Sequence, residues 1–200
     1  MKKAICILLG IFVAVSYTHL DVYKRQVLIH ATIIPRAGEK IEDGYLRVEN
    51  GIFCEIGKMP CPFQEETIDL NGKMVYPGFI DAHTHLGMWE DGLAFEGDDG
   101  NEETDPVLPH LRAVDAINPQ DHCFQEALEA GITTVVTGPG SANPIGGQLA
   151  AIKTAGTCID HMVVKAPVAM KMALGENPKS VYHEKNQAPV SYTHLLQYAG

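Results

Sequence analysis

Two histidines one residue apart, His83 and His85, close the run Phe79-Ile80-Asp81-Ala82-His83-Thr84-His85-Leu86. On an extended chain side chains repeat every second residue, so the two imidazoles share one face, with Asp81 in register beside them. Neutral imidazole is the commonest protein ligand for transition metals, and two rings on one face make half of a coordination site. A bare His-x-His is more often a pair of surface or hydrogen-bonded histidines than half of a metal site. Two other clusters invite a chemical reading. Residues 90–105 carry eight acids and no base, which reads as a solvated loop of a length that also suits a lid. Gly138 to Gly147 is glycine-rich but lacks Gly-x-x-x-x-Gly-Lys-Ser/Thr, so it reads as a tight strand-to-helix loop rather than a phosphate cradle. A Gly-x-Ser-x-Gly elbow and a Cys/His nucleophile pair are both absent.

The elements that must position the histidines fall into two blocks. Val27 to Ile34, Gly44 to Glu49 and Ile52 to Gly57 are short β-branched runs, expected as strands in hairpins. Asn50-Gly51 suits a type I′ turn, and Asn71-Gly72 offers the same chemistry before Lys73 to Tyr76. This predicts a small antiparallel sheet that must pack on something else, with His30 as a packing or edge residue. After Pro77-Gly78 the pattern alternates. The His strand leads to a helix capped by Asn118 and ended by Gly131, and the next strand is Ile132 to Thr137. A helix is expected from about Gln148 to Ala155, with later strand material at His161 to Lys165 and Val168 to Met170. Strand, helix, strand, helix, strand implies a parallel α/β sheet or barrel. Barrel enzymes keep their catalytic residues at the C-terminal ends of strands, which favours the metal reading of the two histidines.

Tyr76-Pro77-Gly78-Phe79-Ile80-Asp81-Ala82-His83-Thr84-His85-Leu86 resembles the first barrel strand of the amidohydrolase superfamily. Gly140 to Gln148 and Met170 to Lys179 are similar to its imidazolonepropionase-related branch, so that the likeness runs from about Val27 to Pro189. The resemblance implies an α/β fold, the N-terminal part of a (β/α)8 TIM barrel, preceded by a small β-sandwich domain. The implied division is 27–76 for the sandwich and 77–189 for the first half of the barrel. It further implies that His83 and His85 bind a divalent metal, zinc by preference, as one or two ions. Lys171, which follows Val168-Ala169-Met170 and lies 88 residues after His83, is the candidate carbamylated ligand, with Glu176 as the alternative. Asp81 would orient a histidine by hydrogen bonding rather than bind the metal itself.

The implied reaction is hydrolysis of a carbon–nitrogen bond in a small amide or cyclic amide by metal-bound hydroxide. Two further histidines and a proton-shuttling aspartate would lie beyond the recognisable sequence, so the chain is expected to be inactive by itself, and the full-length protein leaves room for a homo-oligomer. The competing expectation is a non-catalytic binding or scaffold module on the same fold.

Composition sets the remaining bounds. Fifteen Lys and Arg against 25 Asp and Glu give a net charge of −10, which argues against a nucleic acid partner or a polybasic membrane patch. Five scattered cysteines without a Cys-x-x-Cys pair fit free thiols in a reducing, cytoplasmic setting. Met1 to Ser16 has the layout of a secretory leader, its apolar run Ala4 to Val15 being too short to span a bilayer. Val15-Ser16-Tyr17-Thr18-His19-Leu20 recurs as Val190-Ser191-Tyr192-Thr193-His194-Leu195. The longer form, through Gln26, resembles translated adapter sequence of the kind found in metagenome assemblies. Residues 1–26 and 190–200 are therefore expected to be foreign to the body of the protein.

Overall fold

The computed structural model describes residues 25–90 and 92–186. The leader-like run and nearly all of both adapter-like copies lie outside them. Arg25 and Gln26 are described: Gln26 opens the first strand opposite Val48, and Arg25 forms an ion pair with Glu49. The chain divides into two compact units, Met1–Gly78 and Phe79–Gly200.

The first unit is one five-stranded sheet built on β1 (Gln26–Ile33). Its partners are β2 (Ile41–Glu49), β3 (Ile52–Lys58), β4 (Thr67–Asp69) and β5 (Met74–Val75). β1, β2 and β3 pair antiparallel, and Asn50-Gly51 turns between β2 and β3 with positive φ at both residues, as the hairpin requires. The expectation of a wholly antiparallel sheet is corrected at β4 and β5, which both run parallel to β1. They lie end to end along it. The second Asn-Gly step, again positive in φ, is a jog between them rather than a hairpin turn, and faces His30, itself at φ 52°. Leu28, Ala31, Ile33, Leu46, Leu70 and Val75 form the buried cluster of this unit. Arg47 grips Glu65 with two parallel N–H···O bonds while its guanidinium lies over the Phe63 ring.

In the second unit β6 (Phe79–Thr84), α1 (Cys123–Glu129) and β7 (Ile132–Thr137) form one parallel strand–helix–strand step. Asp121, not Asn118, supplies the oxygen nearest the start of α1, accepting from the N–H of Cys123. Gly131, at φ 82°, ends the helix and donates to Leu128 O. Phe124, Val135, Ile152 and Met162 are central to the core between these elements.

The expected helix at Gln148 to Ala155 is a strand: β8 runs Ile145–Lys153, antiparallel to β7. After the single turn α2 (Ile159–Met162) comes β9 (Val163–Met172), antiparallel to β8, and then α3 (Glu176–Glu184). The purely parallel sheet is thus corrected to a mixed one of order β6-β7-β8-β9, in which only β8 is reversed. Leu, Ala, Gln and Lys favour a helix in isolation, but ladders on both sides satisfy the β8 backbone, so tertiary context overrides propensity.

The ladders also explain an overhang. Thr137, the last residue of β7, pairs with Ala150, so Ile145 to Leu149 extend past the end of β7 and pair only with Ala169 to Met172 on that side. The vacated side of β8 is taken by the chain at 106–112: Leu108 donates to Ile145 O, and Gln148 donates to Leu111 O. No helix among the described residues is long and apolar enough to cross a membrane.

Candidate functional site

The site forms where β6 ends. Asp81 pairs with Val135 and Thr84 with Thr137, so β6 carries one residue more than β7 over this stretch, a bulge that contains His83. Inside a bulge a backbone N–H loses its regular partner. Asp81 compensates, its Oδ1 accepting from the N–H of His83 at 3.1 Å. The carboxylate expected to orient an imidazole therefore holds the main chain instead. Just beyond the bulge Thr84 Oγ1 donates to Val136 O and Thr137 Oγ1 donates to Leu86 O, which stitches the two strand ends together.

His83 is exposed and His85 half-buried, and their ring centroids are 5.4 Å apart. His85 Nδ1 lies 2.6 Å from Gly138 O. A carbonyl oxygen can only accept, so Nδ1 carries the proton and Nε2 of His85 is left with a free lone pair. Gly138 can bring its carbonyl so close because it has no side chain; a Cβ there would fall 2.5 Å from Leu149 Cγ. The ring of Trp89 packs edge-on against His85, with centroids 5.0 Å apart.

Lys171 reaches the same place from the far edge of the sheet. β9 runs in the same direction as β6, and its last residues ride on the overhang, so Lys171 Nζ comes to 3.3 Å from His83 Nε2. An ammonium only donates, which makes Nε2 of His83 the acceptor. Opposite Lys171 stand Gly147, its ladder partner, and Gly146, where a Cβ would already touch the lysine stem at 3.6 Å. The structure thus gathers His83, His85 and Lys171. It does not gather Glu176, the alternative donor, which opens α3 and is exposed. Among the described residues no group of three or more His, Cys, Asp and Glu side chains stands ready around a metal.

The donor chemistry nonetheless fits a divalent cation: His83 and His85 bring two imidazoles together at one strand end, and His85 is held through Nδ1 by a backbone carbonyl as metal-binding histidines commonly are. Sequence reading missed Gly138 and Trp89. The first acts through a main-chain atom that any residue possesses, and the second contacts His85 across a turn that carries no pattern of its own.

The acidic stretch after the histidines leaves most of its described acid side chains exposed, as a solvated loop does, while its backbone is tied down. Glu90 donates its N–H to Gly97 O, Asp99 donates to Met88 O, and Gly140 donates to Gly100 O, joining the acidic loop to the glycine-rich one. Buried Asn143 donates through Nδ2 to Glu102 O and Asp105 O, and Tyr182 Oη on α3 donates to Asp105 O. Glu102 is held below the usual carboxylate range, first by hydrogen bonding from Thr104. Burial, and after it the carboxylates of Glu103, Asp105 and Glu102, push the Tyr182 phenol up to about 12.

Known proteins share these features. A family model described as "Amidohydrolase family" matches residues 66–103, which include the two histidines. Amidohydrolase tasK of Hapsidospora irregularis is 31% identical over 163 residues, taking in 74% of this chain and 17% of that protein. Imidazolonepropionase of Thermoanaerobacter pseudethanolicus is 43% identical over 49 residues, or 24% of this chain and 12% of that protein. Among solved structures, an amidohydrolase from Thermotoga maritima matches with a TM-score of 0.77 and 42% identity, covering 84% of this chain and 44% of that one. The chain spans less than half the length of these relatives. With the His-x-His strand end, the family match and a structural likeness at substantial identity all in agreement, the chain belongs to the amidohydrolase superfamily.

Proposed function

We propose that these residues form the metal-binding front of a divalent-metal-dependent hydrolase acting on the carbon–nitrogen bond of a small amide or cyclic amide. The observation that carries this reading is the meeting of the His83 and His85 rings with the Lys171 amine, which lies 3.3 Å from His83 Nε2, at the end of β6. When bound, zinc or a similar cation lowers the pKa of water towards about 7 and polarises a carbonyl. The chain's own residues prepare that chemistry. Gly138 fixes the tautomer of His85, the Asp81 carboxylate holds the His83 backbone in its bulge, and the threonine bonds keep β6 and β7 in register.

As an ammonium, Lys171 would repel a cation. Loss of one proton from the ammonium gives the free amine; its addition to carbon dioxide forms an N–C bond and releases a second proton, so that a positive group becomes an anionic one able to hold a second ion. That conversion completes the donor set proposed here, with Glu176 left outside it. Imidazolonepropionase and 5-methylthioadenosine/S-adenosylhomocysteine deaminase, two relatives by name, suggest a small cyclic substrate. Two imidazoles and one lysine are fewer ligands than two catalytic ions need, so we place turnover in a longer chain that contains these residues, and none in these residues by themselves.

Elemental analysis and calorimetric titration with Zn2+, in the presence of bicarbonate, test the reading. Zinc binding by the parent, lost in His83→Ala and His85→Ala and reduced by one equivalent in Lys171→Ala, is the expected result. A parent chain that retains no metal in either measurement would instead point to a scaffold with this fold.

A further inference from the structure

Trp89, the single tryptophan of the chain, has a role that metal ligation does not assign. Its ring is wedged between two loops. A Cβ on Gly100 would fall 1.9 Å from Trp89 Cζ2, and one on Gly140 would fall 3.0 Å from Cη2. At 1.9 Å no Cβ can stand, so Gly100 makes room for the indole; at Gly140 the tighter neighbour is Asn101, whose Oδ1 lies 2.6 Å from that Cβ position, with the indole beside it. The two loops are bonded to each other at this point, Gly140 N–H donating to Gly100 O at 2.8 Å. The Trp89 backbone is pinned as well, by a β-bridge to Asp98 and by the flanking bonds from Glu90 to Gly97 O and from Asp99 to Met88 O. With its far side seated, the indole presents itself to the His85 ring at 5.0 Å between centroids and 78° between planes.

His85 can satisfy its Nδ1–H on Gly138 O only in one ring orientation, and Trp89 stands against that ring. We propose that Trp89 is a positioning residue: seated on Gly100 and against Gly140, it holds His85 in the Nδ1–H tautomer on the Gly138 carbonyl and so keeps Nε2 without the proton. Through it the backbone of the acidic loop becomes a structural support of the histidine pair. The consequence for metal binding rests on His85 being a ligand; the tautomer does not.

Two measurements on the full chain separate these statements. The first is a long-range 1H–15N spectrum of the metal-free protein at about pH 8, above the ordinary imidazole pKa, with His85 identified by loss of its signals in His85→Gln. The parent is expected to show Nδ1–H and a bare Nε2. Trp89→Ala is expected to shift His85 towards a mixture with the Nε2–H form, and Trp89→Phe, which keeps a ring against the imidazole, to restore the parent pattern. Trp89→Leu fills the space between the glycines without offering a ring edge, and gives the same readout if the alanine variant fails to fold. The second is Zn2+ affinity, expected to fall by about 10- to 100-fold in Trp89→Ala or Trp89→Leu and to recover in Trp89→Phe. An unchanged Nδ1–H pattern in folded Trp89→Ala or Trp89→Leu overturns the positioning role. If the pattern shifts but the parent itself binds no Zn2+, the positioning role stands and the metal reading fails.

Discussion

At the scale of single residues, partners rather than identities decide what each group does. His85 is committed to one tautomer by a backbone oxygen, whereas His83 faces a lysine amine, so two like side chains meet different surroundings. Tyr182 shows the same dependence. Fully buried and next to three acids, it has a folded pKa above the ordinary phenol value near 10. Its contribution to stability is therefore complete below about pH 10 and is lost as pH rises towards the folded value. Denaturant titrations between about pH 9 and 12 are expected to show that loss in the parent and a flatter profile in Tyr182→Phe. At neutral pH that variant should be less stable by about 1 kcal/mol, since Asp105 O loses one of its two donors. His83 and His85 share a face by a period of two, which is a local signal, whereas Lys171 is singled out only by the resemblance to the superfamily. The bond from Asn143 to an acidic loop about forty residues earlier leaves no such trace.

At the scale of elements, the reversed strand β8 is the main departure from expectation. Its stretch from Gln148 to Ala151 is made of good helix formers, and what keeps it extended is the hydrogen-bonding demand of β7 on one side and β9 on the other. Gly147 shows how tightly this strand is fitted: its φ is 125°, and a Cβ would fall 2.9 Å from Leu111 O. Gly147→Ala is expected to lower stability by about 1–3 kcal/mol, read as a lower Tm, because both the dihedral and the contact are unfavourable. Zinc affinity should fall with it, as the substituted residue pairs directly with Lys171. The first unit was misread in the same way on a smaller scale: Asn71-Gly72 has hairpin chemistry, but β1 offers its free side to both flanking segments, which align parallel to it. Turn chemistry fixes the local dihedrals; which strand the chain then pairs with is a long-range matter.

At the scale of the molecule, both edges of the second sheet are apolar. Ile80 on β6 is 71% exposed and Phe79 59%, and on β9 Val164 is 57% and Met172 53% exposed. An uncovered apolar edge strand is a template for association with other chains. Ile80→Lys is expected to reduce concentration-dependent light scattering while changing stability by no more than about 0.5 kcal/mol, as for an exposed position. If scattering is unchanged, the edge of β6 is not where chains associate.

The overhang of β8 and β9 beyond Thr137 is braced rather than free, since residues 106–112 bond along its other side. The reach of Lys171 to His83 is therefore set by that brace as well as by the last rung shared with β7, so substitutions at Leu108 or Leu111 are expected to alter the spacing of the nitrogen donors without touching any of them.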